Sequence, residues 1–85
     1  MDYSHIKDSA IKLNDTFANQ VNVALANNGY KLKNNQWCLL IRRGDNINML
    51  ILNDKNKLSK QIDVSIFEYQ MFASISEETT YYITG

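Results

Sequence analysis

The sequence predicts an α+β fold in two layers: a long N-terminal helix packed on a small antiparallel sheet, with a second short helix. Three observations predict it. Apolar residues recur at helical spacing from residue 4 to residue 28. Residues 37–52, WCLLIRRGDNINMLIL, set two apolar runs on either side of Gly44-Asp45-Asn46, the pattern of a β-hairpin. The last run, residues 79–84, is β-branched and aromatic, as strands are. A chain of 85 residues has room for one domain, expected over 1–85.

The helix is expected first. Ile6, Ala10, Leu13, Phe17, Val21 and Ala24 follow one another at spacings of four and three, while Lys7, Asp8, Lys12, Asp15, Asn19 and Asn22 occupy the opposite face. Asp2 or Ser4 supplies a capping oxygen for the first turn. Asn27-Asn28-Gly29 ends the helix, because glycine enters the left-handed region without a Cβ clash. Tyr30–Lys33 is read as a short strand that turns at Asn34-Asn35 into the hairpin.

In the hairpin, Trp37, Leu39 and Ile41 point one way and Cys38 and Leu40 the other; Ile47, Met49 and Ile51 likewise oppose Leu50 and Leu52. A half-exposed strand alternates apolar with polar, so these strands belong at the centre of a sheet covered on both faces. One short chain has little material for two covers, and a homodimer is expected to supply the rest. Leu13, Phe17, Leu40 and Leu50 are expected in the core. Residues 58–64 alternate weakly and form an edge strand. Ser65 with Glu68 reads as a capping box, and Val64, Phe67, Met71 and Ile75 predict a short helix over 65–75.

Composition excludes several classes of function. A hydrophobic content of 45% is too high for a disordered chain. No apolar run approaches the length of a membrane span, and no secretory leader is visible. The lone Cys38 sits in an apolar run, where a thiol is inert, so the chain is expected in the cytoplasm. His5 is the sole histidine, and no metal-ligand spacing surrounds it. Three glycines are too few for a phosphate-cradling loop. Neither catalytic residues nor a cofactor are expected.

Charge points to a partner instead. Residues 1–29 sum to −1, residues 30–60 to +5 and residues 61–85 to −4, for a net charge of zero. Either the acidic end folds back on the basic middle, or the middle attracts an acidic surface. Arg42 and Arg43 end the first hairpin strand, where a guanidinium offers forked hydrogen bonds. Tyr81 and Tyr82 lie on a terminal strand expected at a sheet edge, and tyrosine suits an interface. These four residues are the expected partner-binding site. The bias toward Asn, Ile and Lys, with no proline, matches AT-rich codons such as those of many phages and bacteria.

The reading that follows is a non-enzymatic protein-binding module of the inhibitor, immunity or anti-defence kind, contacting a larger protein or complex. One rival is a nucleic-acid binder using residues 30–60, with Trp37 and Tyr30 as stacking platforms. The other is a small chaperone or adaptor subunit whose sheet edge receives another chain's strand.

Overall fold

The structure, a computed structural model, describes residues 3–85, the side chains of residues 4, 70 and 71 excepted. Its elements are α1 (Ser4–Ser9), β1 (Ile11–Lys12), α2 (Asp15–Asn27), β2 (Trp37–Arg43), β3 (Asn46–Leu52), β4 (Leu58–Ser65), a 3₁₀ segment (Gln70–Ser74) and β5 (Tyr81–Thr84). The five strands form one sheet in the order β1-β5-β2-β3-β4. The sheet is mixed: β1 runs parallel to β5, while every other pair is antiparallel.

The hairpin forms as its alternation predicts. Arg43 pairs with Asn46 across a two-residue turn. Gly44 alone in that turn has a positive φ, +61°, which makes a type II′ turn whose twist suits flanking strands. Both faces of β2 and β3 are buried. Cys38, Leu40, Ile47, Met49 and Ile51 enter one core cluster, and Trp37, Leu39, Leu50 and Leu52 enter a second on the other face.

The chain itself supplies both covers, and this corrects the expected long N-terminal helix. Two helices stand in its place, on opposite faces of the sheet. Ile6 and Ala10 of the α1 region pack beside Trp37, whereas Val21, Ala24 and Leu25 of α2 pack beside Cys38 and Leu40. Between them the backbone extends at Ala10 (φ −82°, ψ 152°) and passes the sheet edge as β1. Helix α2 then restarts under its own cap. Asn14 is extended, and its side chain accepts a hydrogen bond from Phe17 N–H at 3.0 Å. The far end closes as expected. Gly29 (φ +74°) follows the helix, Tyr30 N–H donates to Leu25 O and Gly29 N–H to Ala26 O, each at 2.9 Å. Asp2 and the side chain of Ser4, the two caps read from sequence, lie outside the described residues.

Other expectations are corrected too. Residues 30–33 are loop, held by Gln36, whose Oε1 accepts from Tyr30 Oη at 3.1 Å and Lys33 N–H at 3.0 Å. The second short helix over 65–75 is absent. Ser65 N–H does donate to Glu68 Oε2 at 3.2 Å, but that bond closes a turn, and the 3₁₀ segment follows it. Phe72 and Ile75 pack on the α2 face; the side chain of Met71 lies outside the described ones. The antiparallel sheet becomes mixed through β1, and β5 is an inner strand rather than an edge.

Leu40 and Leu50 are core, as expected, and Leu13 is half-buried. Phe17 is not core, being 39% exposed on the first turn of α2. Phe17→Ala is therefore expected to cost less than about 1.5 kcal/mol, well short of a buried phenylalanine's loss. A urea melt checks this: a drop as large as that of a core leucine would place the ring elsewhere.

Candidate protein-binding site

Each strand here runs from one end of the sheet to the other, so register decides which charges meet. The end holding the Gly44 turn also receives the start of β5, since Tyr81 pairs with Leu40, and the finish of β4, since Ser65 pairs with Asn46. Asp45, Glu68, Glu77 and Glu78 gather there with Arg42 and Arg43. The opposite end holds loops 30–36 and 53–57 and the start of β4, and so collects Lys31, Lys33, Lys55, Lys57 and Lys60 against Asp54. Lys7 joins them from α1, lining a depression of about 240 Å³ with Asn34, Asn35, Asp54 and Asn56.

Seven strand residues separate the two ends by roughly 20 Å, more than twice the screening length of roughly 8 Å at physiological salt. The poles therefore act separately although the net charge is zero. Folding sets the acidic end beside the arginines of the basic middle and leaves that segment's lysines at the other pole.

The four residues expected to bind a partner do not form one patch. Arg42 is a structural clamp. Its Nε donates to Gly44 O at 2.9 Å, and its Nη1 to Ile75 O at 2.9 Å and Ala73 O at 3.4 Å, tying the hairpin to the 3₁₀ segment. Arg43, the next residue, projects from the other face, is exposed and carries no bond among the described side chains. Tyr81 is half-buried on the α2 face beside Ile11, its β1 partner, near Leu13 and Phe17. Tyr82 lies on the α1 face against Trp37, edge to face with ring centroids 6.1 Å apart.

The stacking platforms of the nucleic-acid reading are occupied. Trp37 is 3% exposed, with Lys7 Nζ 4.7 Å from its ring centroid. Tyr30 is half-buried, and Lys60 Nζ sits 5.5 Å from its ring. Burial pushes the Cys38 thiol up to about 12, which removes the thiolate that nucleophilic chemistry needs. His5 is exposed, and among the described residues no group of three or more His, Cys, Asp or Glu gathers to hold a metal. No helix among them is long and apolar enough to cross a membrane.

No family model, curated protein or solved structure matches this chain. The lysine end is what the sequence reading missed. Summing charge by segment hid it, because β2, β3 and β4 fold one segment back and forth between two poles. Placing charges by hairpin register would have found it.

Proposed function

We propose that the chain is a non-enzymatic protein-binding module that acts by contact, in the manner of an inhibitor, immunity or anti-defence protein. Its lysine end docks on an acidic surface of a larger protein. One observation carries this reading: Lys7, Lys31, Lys33, Lys55, Lys57 and Lys60 share one end, and across loops 30–36 and 53–57 and the start of β4 Asp54 alone opposes them. Such a pole steers an acidic partner into encounter and sets the register in which it docks. The asparagines between the lysines add hydrogen-bonding groups without opposing charge.

Reversing Lys31 and Lys33 to glutamate is expected to slow association with an acidic protein partner tenfold or more, by roughly the lower range of electrostatic steering. Both are exposed loop residues, so the melting curve stays that of the wild type. Arg43→Glu, at the other pole, leaves the rate within roughly twofold. Association of a partner captured from cell extract, followed at two salt concentrations, checks this. The reading fails if Arg43→Glu slows binding more than the lysine reversals do. A nucleic-acid role would show as capture lost on nuclease treatment, with affinity for plain oligonucleotides that falls steeply with salt.

A further inference from the structure

The outer edge of β4 offers a second contact surface, distinct from the loops used above. Strand β4 is eight residues long and, among the described residues, borders β3 alone. Ile66 N–H donates to Asp45 O at 2.8 Å, which sets the phase of the ladder. Val64, Ile62 and Lys60 accordingly turn their N–H and C=O groups toward Ile47, Met49 and Ile51. Gln61 and Asp63 turn theirs outward, where no strand among the described residues meets them. The next outward position, Ser65, is taken: its N–H donates to Glu68 Oε2 at 3.2 Å, and its C=O accepts from Glu68 N–H at 3.0 Å.

We infer that β4 pairs antiparallel with β4 of a second copy of this chain, with Ile62 facing Ile62 on the twofold axis, so that two sheets become one of ten strands. Three features select that occupant and register. First, each Gln61 then faces Asp63 of the other copy. Within one chain Gln61 Nε2 already donates to Asp63 Oδ1 at 3.1 Å, so two amides and two carboxylates form one cluster on the axis. A register centred on Asp63 sets two carboxylates directly opposite, which is destabilising. Second, Leu58 and Phe67 are exposed, at 42% and 75%, and lie at opposite ends of the edge. An antiparallel pair centred on Ile62 brings Leu58 of each copy to Ile66 and Phe67 of the other. Third, the antiparallel arrangement sets Lys55 and Lys57 of one copy beside Glu68 of the other, so opposite poles meet. The chain has no proline, and among the described residues no strand lies outside β4, so neither device blocks pairing.

The dimer differs in origin from the one the apolar hairpin suggested, since α1 and α2 already cover that hairpin. It is tested by light scattering behind a sizing column across a concentration series. The wild type is expected to approach twice the 9.8 kDa of one chain as concentration rises. Asp63→Pro removes an N–H that the β3 ladder does not use, and proline is tolerated at such edge positions. Each copy loses one interchain hydrogen bond at about fivefold apiece, so dissociation is roughly twenty-five-fold easier, with the circular dichroism unchanged. Gln61→Lys, which sets a lysine opposite each Asp63, tightens the dimer by roughly threefold or more at low salt. Phe67→Ser, at an exposed site, weakens it.

A wild type that stays at 9.8 kDa up to about millimolar concentration, a regime where even weak interfaces associate, overturns the inference. So does an Asp63→Pro protein that dimerises as well as the wild type. Should that variant fail to fold, the other two decide: a looser Gln61→Lys dimer, or an unchanged Phe67→Ser dimer, refutes the register. The lysine-end variants Lys31→Glu and Lys33→Glu keep the wild-type mass, so the two proposed surfaces succeed or fail independently.

Discussion

Trp37→Ala is expected to lower the free energy of unfolding by about 3–5 kcal/mol, the range for deleting a large buried aromatic ring. Among the described residues the α1 face buries Trp37, Leu39, Leu50 and Leu52, and Trp37 is the largest. Tyr3, Ile6, Ala10 and Tyr82 are half-buried against this cluster, Tyr82 edge to face with the Trp37 ring. An α1 of six residues is far too short to persist as an isolated helix, so its order depends on this contact. Stabilities of roughly 0.05–0.15 kcal/mol per residue leave a chain of this size little reserve. Urea unfolding followed by circular dichroism gives the loss, and amide exchange at Ala10 and Ile11 should quicken with it. An unchanged midpoint would show that α1 holds its place without the indole.

The second large effect is alkaline. Desolvation on burial lifts the Cys38 thiol from an ordinary 9.0 to about 12. The thiol is neutral when protonated, and the folded state keeps that proton where the unfolded chain has released it. Stability from this source is whole below about pH 9 and falls as pH rises toward about 12. The slope reaches about 1.4 kcal/mol per pH unit where only the unfolded chain has lost its proton. The comparison is with Cys38→Val, which fills the site without a thiol and leaves every other ionisable group in place. The wild type should lose stability faster than this variant between pH 9 and roughly 10.5, and alkylation of Cys38 should track global unfolding. Parallel pH profiles for the two proteins would refute a buried, undissociated thiol.

The hairpin was legible because its residues alternate between two apolar faces, a pattern few other structures produce, and because Gly44 sits where a type II′ turn needs it. The end of α2 was legible for a similar reason, since Gly29 sits just past the last apolar position. The break at residues 10–14 was hidden. Ile6, Ala10, Leu13 and Phe17 keep helical spacing straight through it, and spacing carries no record of which sheet face each residue meets. The cue that marked it was Asn14-Asp15, a capping residue followed by an acid in the first turn, standing inside what looked like one helix. Ile11 and Lys12 are too few to show alternation at all. At the candidate site, Arg42 and Tyr82 stand out in the sequence, but the groups they meet inside the chain do not. Arg42 reaches backbone carbonyls 31 and 33 residues away, and carbonyls leave no trace in side-chain chemistry.

The crossing at β1 has a kinetic consequence. Strands β2, β3 and β4 are joined by tight turns and pair with their sequence neighbours, so their contacts form at small cost in loop entropy. Pairing β1 with β5 joins Ile11 to Tyr81 and closes nearly the whole chain into a loop. The meander is thus the part able to assemble early, and the β1–β5 ladder the part that waits. Until it closes, α1 has no fixed route to its side of the sheet, and the Trp37 face stays wet. Refolding should therefore dry the Cys38 face before the Trp37 face, and indole fluorescence should lag the growth of sheet signal. In the reverse direction, two short strands far apart in sequence are the first ladder to part, so opening begins where the chain rounds the sheet.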